Sequence, residues 1–189
     1  MAAPYCKCVL AIGNFDGVHR GHQEILRRAR EAAAGLQLPV RVLIFDPFPL
    51  QVLRPQAAPQ RLMSIEERVA ALKYYGANEV RVMTPTVEFL GQPPEEFVTW
   101  LIKTFAPAVI VEGEDFRFGR ERRGNIKYLQ QVGVAMGFAV VSVPSEKIVL
   151  PGGAEVRASS TMVRTLLAEG RAEEAEIILG RKRAFTIVG

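Results

Sequence analysis

Residues 6–22 read Cys-Lys-Cys-Val-Leu-Ala-Ile-Gly-Asn-Phe-Asp-Gly-Val-His-Arg-Gly-His, an apolar run followed by a glycine-rich turn. The run over residues 6–12 has the continuous hydrophobicity of a strand that is buried on both faces. After the turn, a helical pattern extends over residues 21–34 and stops at Gly35. The stretch therefore predicts a strand, a tight turn and a helix in immediate succession, which is the opening unit of an α/β fold.

The same alternation of strand and helix continues outward from this unit. Further strands are predicted at residues 40–45, 79–83, 108–112 and 138–143, and helices at 64–75, 94–105 and 125–136. The first of these helices opens with a capping box, Ser64 with Glu67, and the second with Pro93 and Pro94. The pattern predicts a Rossmann-like, doubly wound, five-stranded parallel sheet of order 3-2-1-4-5, followed by a hairpin at 147–157 and short helices at 160–168 and 172–179.

Composition sets limits on the class of protein. The 189 residues are enough for one well-buried domain, and 49% hydrophobic with 23% charged residues is ordinary globular composition. No apolar run approaches the roughly 20 residues of a membrane helix, and the N-terminus lacks a secretory pattern, so we expect a cytoplasmic protein without a membrane partner. The net charge of +4 suits anionic substrates. Because no basic stripe is interleaved with aromatic residues, a nucleic-acid partner is not expected.

The two cysteines, Cys6 and Cys8, are predicted to lie on one face of the first strand. They are too close in sequence for an unstrained disulfide. A closed metal site needs four ligands, and only His19 and His22 could complete one. Buried or half-buried thiols in a reducing compartment are therefore expected.

The topology predicts where a ligand binds. In a sheet of this order the loops after strands 1 and 4 diverge, and ligands bind in the crevice between them. Here these loops are residues 13–22 and 113–124, which are also the most unusual loops of the chain.

His19 and His22 are the only histidines, and they lie at the mouth of the first helix. At a spacing of three, both rings can share one face of the first turn, beside free backbone N–H groups and the positive end of the helix dipole. Gly17 and Gly21 allow a tight turn and close approach of a phosphate. The alternative is a pair of surface histidines. The combination with the glycines favours a phosphate site.

A second candidate element is Arg157-Ala158-Ser159-Ser160-Thr161-Met162-Val163-Arg164. Capping of a helix alone would explain the hydroxyl residues. Arg164, however, falls in the first turn, where a positive charge opposes the dipole, and a bound phosphate would account for it. We therefore predict a second phosphate clamp opposite the histidines.

Two signatures carry a family resemblance. Residues 13–22 resemble the His-x-Gly-His loop of the nucleotidyltransferase superfamily, and residues 159–164 resemble its Ser-Ser-Thr-x-Ile-Arg signature. The complete string at 13–22 and Gly-Glu-Asp-Phe-Arg-Phe-Gly at 113–119 resemble the adenylyltransferase module of bacterial bifunctional riboflavin kinase/FAD synthetases. The resemblance implies that ATP and FMN are the substrates, that Mg²⁺ is required, and that the FMN phosphate attacks the α-phosphate of ATP in line to give FAD and pyrophosphate.

The resemblance also implies the roles of individual residues. The catalytic residues would be His19, His22 and Arg164. The ATP site would contain Gly13, Asn14, Phe15, Asp16, Gly21, Arg157, Ser160 and Thr161. The flavin side would contain Phe45, Pro47, Phe48, Asp115, Phe116 and Phe118. Phe48 departs from the family, which commonly has a histidine at this position, and the protein ligands of Mg²⁺ are not indicated.

Several alternatives stay open from the sequence. Arg117, Arg120, Arg122 and Arg123 fit a solvated segment. Phe116 and Phe118 fit either packing at a strand end or stacking on an isoalloxazine ring. Two other functions are compatible with the motifs: nucleotidyl transfer to another small phosphate ester, and a binding module without turnover. The oligomeric state is not indicated.

The domain prediction places a single nucleotidyltransferase domain at residues 1–180. In the resembled family a Leu-Gly-Arg segment like 179–181 leads into a riboflavin kinase barrel. Residues 181–189 are therefore predicted to be a stub of that domain, with 184–188 as its first strand.

Overall fold

The computed structural model describes residues 6–182. Within this range the strands are β1 (Cys8–Gly13), β2 (Val40–Phe45), β3 (Glu79–Met83), β4 (Pro107–Gly113), β5 (Arg117–Phe118), β6 (Gly124–Asn125), β7 (Ala139–Val143), β8 (Lys147–Val149) and β9 (Glu155–Arg157). The α-helices are α1 (Arg20–Leu36), α2 (Pro49–Leu53), α3 (Ile65–Tyr74), α4 (Val87–Leu90), α5 (Pro94–Phe105), α6 (Ile126–Met136), α7 (Ser160–Ala168) and α8 (Ala172–Leu179). The predicted alternation of strands and helices is confirmed.

The main sheet has the predicted topology. Five strands pair in the order β3-β2-β1-β4-β7, and every pairing is parallel. β1 lies at the centre of the sheet and pairs with β2 on one side and with β4 on the other. The chain builds the first half of the sheet outward from β1 through β2 and the second half through β4. The doubly wound, five-stranded α/β fold is therefore confirmed, with its switch point between β1 and β4.

Two hydrophobic cores cover the two faces of this sheet. On one face, Val9 and Ala11 of β1 pack in a cluster with residues of α1, α3, α7 and α8. On the other face, Leu10 and Ile12 pack in a cluster with residues of α5 and α6. The central strand is thus buried on both sides, and this explains why its sequence is apolar without alternation.

Two short antiparallel ribbons flank the sheet. β8 and β9 form the hairpin that was predicted at residues 147–157. β5 and β6 pair within the segment after β4, which was predicted as a plain loop. The ribbon is only two residues long on each side, too short to produce a periodic signal. The sequence also missed α2 and α4, which have five and four residues.

The prediction for the cysteines was wrong for Cys6. β1 begins at Cys8, so Cys6 precedes the strand and is exposed, whereas Cys8 is buried. The Cys8 thiol donates to the backbone oxygen of Phe105 at 3.2 Å, and burial raises its pKa. Among residues 6–182 no cluster of three or more His, Cys, Asp or Glu side chains could hold a metal ion.

The predicted stub of a further domain concerns residues 181–189, most of which lie outside the described range. Its proposed strand at 184–188 is entirely outside that range. Over the part of the chain that the structure describes, no helix has both the length and the apolar character needed to span a membrane.

Candidate active site

A cavity of about 660 Å³ lies beyond the carboxyl ends of β1 and β4. Its volume is in the range of small-molecule sites. Residues from the loop after β1, the loop after β2, the segment after β4 and the start of α7 line its wall. The cavity is therefore at the predicted switch point, and all but one of the predicted site residues line it. The exception is Pro47, which follows Asp46 in a cis peptide bond and does not reach the lining.

The first wall of the cavity is the histidine loop, as we call residues 13–22. Three residues of this loop have left-handed backbone conformations: Phe15 (φ 49°), Gly17 (φ 81°) and Val18 (φ 40°). Such a conformation is strained for a β-branched residue such as Val18, so the surrounding structure must hold the turn in place. A side chain on Gly17 would approach Leu62 Cδ1 to 3.0 Å, so glycine is required there both for its φ and for space.

His19 and His22 form a stacked pair at the end of this loop. Their ring centroids lie 3.7 Å apart, and Phe15 contacts His22 at a centroid distance of 4.9 Å. Both Nδ1 atoms are buried without a hydrogen-bond partner. Buried polar atoms of this kind normally have partners, and the pair lines a cavity that could supply one.

The environment keeps both imidazoles neutral near pH 7. Burial lowers the pKa of His19 to about 4, and the positive charge of Arg157 adds to the effect. Burial also lowers the pKa of His22 well below its usual value, with a smaller contribution from His19. Each ring therefore has one N–H donor and one acceptor nitrogen. The rings lie at the N-terminus of α1, whose first turn contains no acidic residue, and this helix end is suited to bind an anion.

The second wall is the start of α7, which is joined to the histidine loop through Asp16. Ser160 donates to the backbone oxygen of Asp16 at 2.7 Å, and the Asp16 carboxylate accepts from the backbone N–H of Leu62 at 3.1 Å. Arg164 forms an ion pair with the same carboxylate and donates to the backbone oxygen of Gln60 at 2.6 Å. The two predicted clamps are thus one connected unit.

The ion pair with Asp16 explains the position of Arg164 without a ligand. The sequence analysis placed Arg164 in the first turn of α7 and explained it by a bound phosphate. Arg164 is instead the fifth residue of α7, beyond the first turn, and it has a carboxylate partner within the protein. Asp16 is only 2% exposed, so the pair is held in place at the cavity wall. Two of the five N–H donors of a guanidinium are used in these contacts. The side chain is oriented before any ligand binds.

An ion pair between Arg157 and Asp115 lies at the rim of the cavity. Arg157 ends β9 and Asp115 follows β4, and their side chains meet at 2.5 Å. Both residues line the cavity and both are about half exposed. The pair therefore connects the hairpin to the loop after β4 at the cavity rim.

The remaining part of the cavity is aromatic. Phe116 and Phe118 stack at a centroid distance of 5.4 Å, and Phe118 also contacts Phe97 at 5.3 Å. Phe118 is buried in the core over α5, so strand-end packing accounts for it, while Phe116 is less buried. Both nevertheless line the cavity together with Phe45. This end can receive a flat aromatic ring.

Phe48 is buried at the cavity wall and lies against two arginines. The Arg68 guanidinium is 4.7 Å from the centre of its ring and that of Arg61 is 5.4 Å away. Both distances are within the range of cation–π contacts. The phenylalanine that departs from the family pattern therefore has partners that suit an aromatic ring.

Sequence reasoning missed Arg68 and Glu112. Arg68 is fully buried and donates to the backbone oxygens of Asn14 and Phe45 and to the Asp46 carboxylate. It therefore joins the loops after β1 and β2. In the sequence it looks like one of several surface charges on α3, so no local signal marked it.

Glu112 lies at the floor of the cavity, 2% exposed, and accepts a hydrogen bond from the backbone N–H of Ile12. The backbone pairing between β1 and β4 ends at Leu10 and Ile110. Beyond this point the strands diverge, and the hydrogen bond to the Glu112 carboxyl connects them. Burial raises its pKa well above the usual value. A single carboxylate inside an apolar strand was the signal that could have identified it.

The basic residues after β4 lie on an exposed segment at the edge of the cavity. Arg123 pairs with Glu121 and its side chain is 70% exposed, as expected for a solvated segment. Arg117 and Arg122 line the cavity. All four arginines of this segment are exposed, as predicted for a solvated segment, and two of them also border the cavity.

Helix N-termini that face the switch point of a parallel sheet are the arrangement by which α/β proteins bind nucleotide phosphates. The sheet order, the histidine loop and its connection to α7 place the chain in the class of nucleotidyltransferase-type α/β domains.

Comparison with known families narrows this class. The FAD synthetase family model matches residues 2–157, and the chain belongs to this family. The bifunctional riboflavin kinase/FMN adenylyltransferase of Escherichia coli K12 is 37% identical over 97% of this chain and 58% of its own length. The protein of the same name from Pseudomonas fluorescens is 39% identical over 96% of this chain and 56% of its own length. The chain thus spans somewhat more than half the length of these relatives.

One solved structure has the same fold over nearly the whole chain. It is the crystal structure of a macrolide-efflux protein from Streptococcus pneumoniae. The match has a TM-score of 0.83 and 29% identity, over 96% of this chain and 57% of that one. It supports the architecture described above.

Proposed function

We propose that this chain is an FMN adenylyltransferase, which converts ATP and FMN to FAD and pyrophosphate. The observation that carries the proposal is the stacked pair of His19 and His22, neutral and without partners at Nδ1, in a cavity whose other end is aromatic. One end suits a polyphosphate and the other a flat ring system. Membership of the FAD synthetase family supports these two substrates.

The chemistry needs no protein nucleophile. An FMN phosphate oxygen is already ionised near neutral pH and attacks the α-phosphorus of ATP. The new bond forms between this oxygen and the α-phosphorus, the bond to the β-phosphate bridging oxygen breaks, and pyrophosphate carries away the negative charge. The task of the protein is to align two anions that repel each other and to stabilise the developing charge.

The side chains around the cavity suit that task. Neutral His19 and His22 donate N–H groups to the ATP phosphates at the N-terminus of α1. Arg164, oriented by Asp16, binds the phosphates from the α7 side. Arg157 supplies a further positive charge at the rim.

The proposal includes Mg²⁺. The residues at the cavity fit an ion that the protein itself holds only in part. Asp16 and Asp115 are carboxylates at the cavity, but each forms an ion pair with an arginine. Together with the lack of a cluster of three ligands within residues 6–182, this favours an ion held mainly by ATP phosphates, with at most one or two carboxylates. When bound, the ion would neutralise charge on the leaving pyrophosphate.

The test is to incubate the pure chain with ATP, Mg²⁺ and FMN and to separate the flavins by chromatography. We expect FAD, with pyrophosphate released in equal amount. FAD absent but another phosphate ester adenylylated would favour the second transferase function. Binding of ATP and FMN without any product would favour a module without turnover.

A further inference from the structure

The segment after α8 returns to the back of the histidine loop. α8 ends at Leu179, and Gly180 adopts a left-handed conformation (φ 68°) that turns the chain. Arg181 then reaches the loop from behind. Its Nη2 donates to the backbone oxygen of Gly17 at 2.6 Å and its Nη1 to that of Val18 at 3.0 Å.

Gln23 reinforces the same contact from α1. Its side-chain amide donates to the backbone oxygen of Val18 at 2.8 Å and to that of Leu179 at 2.7 Å. We call Gln23 and Arg181 the carbonyl clamp. It holds two adjacent carbonyls, and these belong to Gly17 and Val18, two of the three residues with left-handed backbone conformations in the histidine loop.

This position matters because the loop cannot hold its conformation by local contacts alone. Val18 is a β-branched residue at positive φ, a conformation that persists only where surrounding contacts impose it. The clamp supplies such contacts immediately before His19. The charge of Arg181 is also close enough to contribute to the lowered pKa of His19.

We propose that Arg181 is a positioning residue for adenylyl transfer: together with Gln23 it holds the Gly17 and Val18 carbonyls and so orients the histidine loop for the ATP phosphates. The inference rests on the proposed function for its substrate. The residue lies in the segment after α8, beyond the part of the chain that the family model matches. Arg181 thus acts on the proposed ATP site through the histidine loop, since its own side chain does not line the cavity.

The experiment compares the full chain with Arg181→Met, which removes all donors but keeps the apolar stem, and with Arg181→Lys, which keeps the charge. Lys182→Met is the matched control, since this neighbouring cation is exposed. The measurements are KM and kcat for ATP in FAD formation, and the dissociation constants of ATP and FMN by calorimetry.

We expect Arg181→Met to raise the KM and dissociation constant of ATP by about tenfold or more, the usual cost of losing hydrogen bonds from a charged group. Binding of FMN should change less than twofold, Arg181→Lys should give an intermediate value, and Lys182→Met should match the wild type. A purely structural role would lower the folded fraction, and with it the apparent kcat, but would leave the KM for ATP unchanged.

The outcomes separate the two proposals. FAD formation by the wild type with an unchanged KM for ATP in Arg181→Met would overturn the inference and leave the function intact. No FAD formation by the wild type, with ATP binding still weakened in Arg181→Met, would overturn the function and support the inference. If Arg181→Met does not fold, Arg181→Lys decides, because its ATP affinity must then fall without a change in FMN affinity.

Discussion

At the scale of single residues, the site depends on groups held in unfavourable states. Val18 has a backbone conformation that its side chain disfavours, and the Nδ1 atoms of His19 and His22 are buried without hydrogen-bond partners. A bound phosphate would relieve part of this cost, because an anion supplies both an acceptor and a negative charge. The free-energy cost of holding these groups in the unliganded fold would thus be partly recovered when a ligand binds.

His22→Ala tests the histidine pair. We expect the variant to fold and to lose roughly two to three orders of magnitude in kcat for FAD formation, the usual cost of removing a preorganised donor. His22→Gln is the matched control, since it retains an N–H donor and should recover part of the activity. Turnover near that of the wild type in a normally folded alanine variant would remove His22 from the mechanism.

Glu112→Gln tests the buried carboxyl at the cavity floor. Because the folded-state pKa of Glu112 is raised above 4.5, the folded protein retains a proton that the unfolded chain releases as the pH rises, and stability is lost in that range. Glutamine does not titrate and keeps the acceptor for the Ile12 N–H. We therefore expect the variant to gain stability relative to the wild type as the pH rises above 4.5, measured by urea unfolding at several pH values.

Glu114→Gln provides a control of opposite sign. Hydrogen bonds from the Ser145 side chain and from its backbone N–H, the latter at 2.9 Å, lower the pKa of Glu114. This carboxylate therefore stabilises the fold above its usual pKa and ceases to do so as the pH falls. Its replacement should cost stability towards neutral pH. A stability difference for Glu112→Gln that stays constant with pH would contradict the assignment of a protonated, buried carboxyl.

At the scale of elements, the helix N-termini differ in whether their first turns contain acidic residues. The first turns of α3, α5 and α8 each contain two glutamates, which satisfy the helix dipole within the protein. Those of α1 and α7, which border the cavity, contain no acidic residue, and neither does that of α6. The N-termini of α1 and α7 are thus left available for an external anion.

The close packing around Gly133 of α6 leads to a prediction about stability. Alanine usually stabilises a helix interior relative to glycine by roughly 1 kcal/mol. At Gly133, however, a Cβ atom would lie 2.6 Å from the Phe138 backbone oxygen, so we expect Gly133→Ala to destabilise the protein. Gly35→Ala is the matched control, since α1 leaves open space there and the usual gain is expected. Thermal unfolding of both variants measures the change in stability. A stabilised Gly133→Ala would contradict the close packing of α6 against Phe138, the residue before β7.

At the scale of the whole molecule, the cavity exists only because distant segments converge. Arg68 of α3, the start of α7 and the segment after α8 each donate a hydrogen bond to the histidine loop at the end of β1. The loop is therefore held by three segments that are distant from it in sequence. We therefore expect the proposed ATP site to respond to changes far from it in sequence.

The 189-residue chain should make FAD from FMN but should not make FMN from riboflavin. Its described part is one α/β domain around one parallel sheet, and the family model that it matches is that of FAD synthetase. Kinase activity is part of the names of relatives that are considerably longer. The check is to supply riboflavin with ATP and follow the flavins over hours, with FMN and ATP as the parallel positive control. FMN formed from riboflavin by the pure chain would place a kinase site within these residues.

The sequence by itself determined the order of strands and helices, the parallel sheet and the location of the histidine loop, because these depend on local periodicity and on topological rules. It did not determine how the site is held together. Asp16 and Arg164 are 148 positions apart, and Gly17 and Arg181 are 164 apart, and no local pattern links such pairs. Glu112 and Arg68 look in sequence like an isolated charge in a strand and a surface charge on a helix. Only the tertiary structure decided their roles, since burial and partner geometry are properties of segments that meet in space.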